Sequence, residues 1–240
     1  MALADAIPAR SGPWNAPLAP VPSRFARARS RMAWEMAALA LPRSILWLHG
    51  RRDRNRRRIA LTFDDGPDAM TSEYLDLLAR LHVRATFFLV GEKAAREPGL
   101  VREYRRAGHD VGGHGWSHDP FSRMSADRLR DELARTESAL GAVEGRFRFV
   151  RPPRGAISLG SLVQIAAAGY TTVLWSLDSD DCRARDPSVV ERRVGPNAIR
   201  PGDVVLLHEL QPWTIEALPP IVTSLRRGGY ELVTLSELME

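Results

Sequence analysis

The sequence predicts an α/β protein built on a mostly parallel sheet. Three observations carry that reading. Short β-prone runs alternate with helical patterns along most of the chain, three glycines stand just past helical patterns, and the polar residues of interest fall at the carboxyl ends of the apolar runs. Strands that alternate with helices need crossover connections, and crossovers give parallel pairing. The carboxyl ends of parallel strands are where such sheets and barrels assemble their sites.

The first run, "RIALTFDD", opens at Arg58 and closes on Asp64 and Asp65. "ATFFLVG", "DVGGHG", "RFRFVRPP", "YTTVLWSLD", "DVVLLHE" and "YELVTL" follow as further predicted strands. His114 ends the third run, Arg151 the fourth, Asp178 the fifth and His208 the sixth. Between them the spacing predicts a helix over 71–81, with Leu75, Leu77, Leu78 and Leu81 as its apolar residues. Residues 93–107 and 125–143 are rich in Ala, Leu, Glu and Arg and read as helices. So do 158–168 and 213–228, with a shorter helix at 188–194. Gly108, Gly169 and Gly229 stand where a helix ends on a left-handed residue.

The chain divides by composition into a Pro/Arg-rich N-terminal extension, 1–57, and a regular domain, 58–240. The formal net charge of +5 is unevenly spread. Residues 1–58 hold twelve arginines against three acids, a balance of +9, which leaves the remainder at −4. The main domain is mildly acidic, so nucleic acid is not an expected partner; weak contact of the Arg tracts "RFARARSR" and "RRDRNRRR" with an anionic membrane surface is the sharper reading of the extension. No segment has the uninterrupted apolar length of a membrane span, and "MAWEMAALALPRSILWLHG" is broken by Glu35, Pro42 and Arg43. The Pro-rich opening lacks the apolar run of a signal peptide, which makes a cytoplasmic location the expectation. A single cysteine, Cys182, excludes an intramolecular disulfide.

Several short motifs carry chemistry. In "GGHGWSHD", His114 and His118 are separated by three residues, and the glycines around them argue for a strand end running into a loop. "LTFDDGPD" places two adjacent aspartates at another strand end, where burial as ions needs a cationic partner. Two His and one Asp form a three-ligand set of the kind hydrolytic metal sites use, because a position must stay open for water or substrate. The other Asp is then free to act as a general base. "FVRPPRG" supplies a fixed cation, Arg151, able to keep a carboxylate ionised and oriented. His208 in "VVLLHEL" suits the protonation of a departing amine, and an acid from "DSDD" would raise its pKa.

Together "TFDDGPD", "HGWSH", "RPPRG", "WSLDSDDC" and "LLHE" resemble, in order and strand context, the polysaccharide deacetylase family, the NodB-homology or carbohydrate esterase family 4 group. The resemblance covers roughly residues 58–238. It implies a distorted (β/α)7 barrel and metal-dependent removal of an N-acetyl group, usually from a GlcNAc-type sugar. It also implies a divalent cation, Zn2+ first and Co2+ as the alternative, held by Asp65, His114 and His118. By the same resemblance Asp64 is the base, Arg151 orients it, and His208 is the general acid. Asp181 tunes His208, with Asp178 as the competing choice. Leu206, Pro153 and Trp116 are implied in the substrate pocket.

Four positions depart from the family pattern. Gly115 stands where Ser or Thr is common, and Asp119 where Pro is usual, which points to a modified loop. Arg154 replaces a frequent aromatic and suits an anionic substrate. Cys182 replaces a common Trp in the pocket wall, so the acetyl pocket is expected to be reshaped. The alternatives to a sugar N-deacetylase are an amidase for a small N-acylated metabolite or nucleotide-linked sugar, and a catalytically silent carbohydrate-binding barrel. The oligomeric state is not legible.

Overall fold

The computed structural model describes residues 34, 36–38, 40–53, 55–141 and 148–240. The Pro-rich opening, the tract "RFARARSR", the last residues of the helix expected over 125–143 and the first of the strand expected at "RFRFVRPP" lie outside the described residues. The chain divides into two units, Met1–Ala37 and Ala38–Glu240, and the sheet belongs entirely to the second.

Among the described residues the strands are Leu46–Trp47 (β1), Arg58–Gly66 (β2), Thr86–Leu89 (β3), Asp110–Gly113 (β4), Phe149–Val150 (β5), Thr171–Val173 (β6), Leu177–Asp178 (β7), Val204–His208 (β8) and Glu231–Leu232 (β9). The helices between and after them are Thr71–Arg80 (α1), Gly91–Arg96 (α2), Pro98–Arg106 (α3), Ala126–Leu140 (α4), Leu159–Ala167 (α5), Asp181–Ala184 (α6), Pro187–Val194 (α7), Pro212–Arg227 (α8) and Leu235–Met239 (α9). Every strand pair is parallel, in the order β1-β6-β5-β4-β3-β2-β8-β7, with β9 on β2. Strands β2 to β8 form the wall of a distorted (β/α)7 barrel, and no ladder joins β6 to β7 among the described residues. Gly108, Gly169 and Gly229 close their helices at φ +79, +80 and +73, as expected.

Three elements differ from the sequence expectation. β1 falls within the stretch read as extension, because the apolar Leu46 and Trp47 are buried and pair with β6. The helix expected over 93–107 is two helices. Pro98 has no N–H to give, and it pushes Glu97 out of helical geometry, to φ −127 and ψ 56. The strand expected at "YTTVLWSLD" is split into β6 and β7, since the carbonyls of Val173 and Leu174 turn to the Arg151 guanidinium, at 3.3 and 3.1 Å. Three arginines of the second Arg tract engage the domain. Arg52 pairs with Asp203 at 2.6 Å, Arg57 lies over the Tyr230 ring at 4.2 Å, and Arg58 bonds the Glu237 carbonyl at 2.7 Å.

The two-residue period of a strand decides what faces the helices and what faces the barrel interior. On β2, Ile59, Leu61 and Phe63 join the helix-side core, where Phe63 stacks on Phe87 at 5.0 Å and Phe87 meets Tyr104 at 4.6 Å. Each such aromatic contributes about 1.5–3 kcal/mol through burial. The alternate residues Ala60, Thr62 and Asp64 face inward. Asp64 is in register with Phe88 on β3 and with His208 on β8. Gly112, beside Phe88 in the ladder, has to be glycine: a Cβ there would stand 2.8 Å from the Phe88 ring.

Glu209, one residue past β8, is buried and accepts hydrogen bonds from Tyr104 Oη at 2.8 Å and Thr71 Oγ1 at 2.9 Å. A Cβ at Gly66 would fall 1.6 Å from Glu209 Oε2, so the end of β2 and this glutamate occupy adjoining space that only glycine leaves free. Burial, reinforced by Asp68, pushes the Glu209 carboxyl from an ordinary 4.5 up to about 8. Between those two values the folded chain keeps a proton that the unfolded chain has lost, so this group makes stability fall as pH rises across that window. Glu209→Gln cannot ionise. Urea unfolding near pH 5 and near pH 8 should show the variant gaining stability relative to the parent as pH rises; an unchanged difference would mean that Glu209 is not protonated in the fold.

Candidate active site

At the carboxyl end of β2, Asp64 is buried and accepts a 2.7 Å hydrogen bond from Arg151 Nη1. Arg151 is wholly buried. It also bonds Thr62 Oγ1 at 2.8 Å and packs its guanidinium on the Phe88 ring at 4.1 Å. Burial pulls the Arg151 pKa below its ordinary value, an effect that Asp64 opposes. The next residue, Asp65, has a left-handed backbone at φ +75, which swings its side chain away from the strand alternation. Its Oδ1 lies 3.5 Å from His114 Nε2 and 3.0 Å from His118 Nε2.

His114 follows β4 and is buried, and its Nδ1 is 2.7 Å from the Arg151 carbonyl. A carbonyl only accepts, so Nδ1 carries the hydrogen and Nε2 is left as a lone pair facing the aspartates. Burial holds the His114 pKa below its ordinary value, toward the neutral form that a ligand needs. His118 has φ +62, and its ring stands 5.1 Å from that of His114. The ligating atoms of Asp65, His114 and His118 all lie within 4.8 Å of one another. Among the described residues, Asp65 Oδ1 is buried without a well-formed hydrogen bond, an unsatisfied acceptor aimed at two imidazoles. A divalent cation among these three groups would satisfy it, so the residues present fit a metal. Burial raises the Asp65 carboxyl, but the neighbouring His118 outweighs it and holds the group below the usual carboxylate range.

His208 closes β8. Its Nδ1 is 2.7 Å from Asp181 Oδ1, and its backbone N donates to Asp181 Oδ2 at 2.8 Å. Thr214 Oγ1 and the Cys182 backbone N complete the carboxylate's bonds, at 3.0 and 2.9 Å. Burial works against the charged imidazole, yet the Asp181 carboxylate holds the His208 pKa well above its ordinary value. Asp178 is not on this imidazole; its oxygens take the Asp180 N–H and pair with Arg183. Cys182 is half-buried beside His208, and burial pushes its thiol up. Asp181, Cys182 and His208 form a second close-set group, but each Asp181 oxygen already accepts two hydrogen bonds. Leu206 is buried on β8 in register with Thr62. Pro153 is buried and Arg154 exposed on a turn where Arg154 has φ +58. Trp116 turns its indole toward α4: the Arg135 guanidinium lies over the ring at 4.1 Å, and a Cβ at Gly91 would stand 2.9 Å from it.

A model of the family described as polysaccharide deacetylase matches residues 51–173. The chain belongs to the polysaccharide deacetylase family. It is 36% identical over 191 residues to a peptidoglycan-N-acetylglucosamine deacetylase of Bacillus cereus, covering 77% of this chain and 89% of that protein. A peptidoglycan-N-acetylglucosamine deacetylase of Listeria monocytogenes is 33% identical over 228 residues, 94% of this chain and 48% of its own length; the chain thus spans about half of that relative. Among solved structures, a peptidoglycan N-acetylglucosamine deacetylase complexed with an N-hydroxybenzamide superimposes with a TM-score of 0.76 at 30% identity, covering 82% of this chain and 93% of the other.

The structure adds three residues to this deacetylase-family site that the sequence did not single out. Lys93 Nζ donates to the Asp65 carbonyl at 2.6 Å. Trp213 Nε1 donates to the Asp181 carbonyl at 2.7 Å, and Glu132 binds the loop between the two His. No helix among the described residues is long and apolar enough to cross a membrane.

The Arg151–Asp64 pair yields a stability test. Arg151→Met leaves the Asp64 carboxylate buried with no cation, a change that costs about 3–5 kcal/mol. Urea unfolding should show that loss, and adding Asp64→Asn should recover part of it because the residual charge is gone. An Arg151→Met variant as stable as the parent would contradict the pairing.

Proposed function

We propose that the chain is a metal-dependent N-deacetylase that hydrolyses the acetamide of a GlcNAc-type residue in a glycan to a free amine and acetate. The observation that carries this reading is the convergence of three potential ligands, Asp65, His114 and His118, with a buried base candidate on one side and an Asp-bound imidazole on the other. Asp65, His114 and His118 would hold a divalent cation, which would supply Lewis-acid polarisation of the amide carbonyl and of the attacking water; Zn2+ suits a set of two imidazoles and one carboxylate. The peptidoglycan deacetylase relatives support a cell-wall glycan as the substrate.

Asp64 acts as the base. Arg151 occupies its Oδ1, which leaves Oδ2, 3.6 Å from His114 Nε2, to take the proton from water. His208 acts as the acid. With Nδ1 engaged by Asp181, Nε2 is the atom that hands its proton to the departing amine. The anionic neighbour keeps that proton on the ring through neutral pH. Leu206, Pro153 and Cys182 shape the acetyl pocket, and Cys182 makes it roomier than a Trp would. Exposed Arg154 supplies a rim cation for a carboxylated sugar.

Chelation should abolish acetate release, and Zn2+ or Co2+ should restore it, measured by coupled acetate detection on chitooligosaccharides and peptidoglycan fragments. Full turnover by metal-free Asp65→Ala would overturn the ligand assignment. The raised His208 pKa gives a second test. The acid proton is lost as pH rises through that value, which sets the alkaline limb of kcat. Asp181→Asn removes the charge that raises it, so the limb should move to lower pH by about one unit or more. A limb that stays in place would remove His208 from the role of acid.

A further inference from the structure

The loop from His114 to His118 is held by a side chain whose hydrogen bonds all go to the residues between the two histidines. Glu132, on α4, is buried at 4% exposure. Its Oε2 accepts from the Trp116 backbone N at 2.7 Å and from the Ser117 backbone N at 2.9 Å, and its Oε1 accepts from Ser117 Oγ at 2.8 Å. All three donors belong to the residues between the two His. A carboxylate that takes two consecutive backbone N–H groups fixes the path of the chain between them. The loop's carbonyls are taken from the other side, where Gly91 N donates to Gly115 O at 2.8 Å and Glu92 N to Trp116 O at 3.2 Å. One helical turn beyond Glu132, Arg135 covers the Trp116 ring. His118 itself sits at φ +62, a backbone conformation that costs free energy and persists only where the surroundings impose it.

We propose that Glu132 is a positioning residue for the metal site: it holds the 115–117 turn so that His118 Nε2 faces Asp65 and His114. The proposal rests on the reading of Asp65, His114 and His118 as ligands. It also accounts for Gly115. With no side chain at 115 to hydrogen-bond within the loop, the anchor comes from a helix sixteen residues away from Trp116 in sequence. Groups hydrogen-bonded to metal ligands typically govern metal affinity by about 10–100-fold, and a carboxylate that fixes the path of the ligand's loop is expected to act on the same scale.

The test is Zn2+ affinity by competition with a chromogenic chelator, together with thermal unfolding of the chelator-treated protein. Glu132→Ala should weaken Zn2+ binding by about 10–100-fold. Glu132→Gln should stay within about threefold of the parent. Its amide oxygen can still accept the two backbone N–H groups, and its NH2 can donate to Ser117 Oγ, which is able to accept. That rescue separates positioning from mere charge. Ser117→Ala removes one of the three bonds and should fall between the two; it decides the matter if Glu132→Ala does not fold. A Glu132→Ala protein that loses thermal stability but binds Zn2+ like the parent would overturn the proposal. His118→Ala is the control for the underlying reading. If it too binds Zn2+ like the parent, the ligand assignment fails; if it alone loses the metal, only the role of Glu132 does.

Discussion

The arrangement depends on a guanidinium sealed inside the barrel. Arg151 has no exposed surface, and a buried charge is tolerable only when it is paired and its remaining hydrogens are bonded. Here Asp64, Thr62 and the carbonyls of Val173 and Leu174 supply the partners, and the Phe88 ring supplies a face. Each demand has a structural cost. β6 ends early because its carbonyls turn inward, and β4 carries Gly112 because Phe88 needs the room. In return, Asp64 keeps one oxygen fixed and the other directed toward the imidazole of His114.

Four acids near the site show how surroundings assign a charge state. Asp64 has an arginine and Asp181 has a histidine, while Asp65 faces two imidazoles; Asp65 and Asp181 are held below the usual carboxylate range. Glu209, one residue from His208, has only Tyr104 and Thr71 as direct partners among the described residues, and its carboxyl rises to about 8. Asp65 at the end of β2 and Glu209 at the end of the adjoining β8 thus hold opposite protonation at neutral pH, since hydroxyl donors do not repay the desolvation of an anion as a cation does.

The residues that end strands were legible because a strand has a fixed period and a fixed polarity. Asp64, His114, Arg151 and His208 could be placed at one end of a parallel sheet from the sequence alone. Asp181 and Asp178 could not be told apart, since both lie where β7 gives way to a short turn and helix, and periodicity says nothing about which one folds back onto β8. The break at Pro98 was readable from the proline alone. β1 was not, because two residues are too few to show a period. Glu132 was hidden for a different reason. On a charged helix an isolated Glu looks like a solvated side chain, and only the packing of α4 against the His loop shows what it holds.

Arg151 also meets the site through its backbone. Its side chain fixes Asp64, while its carbonyl takes the hydrogen of His114 Nδ1. Two groups hung from one residue are displaced together when β5 and its neighbours fluctuate. The spacing between the carboxylate and the imidazole nitrogen therefore varies less than the position of either in the barrel. Thermal motion that would misalign two independently mounted groups is here largely common to both, and what matters to the chemistry is only their difference.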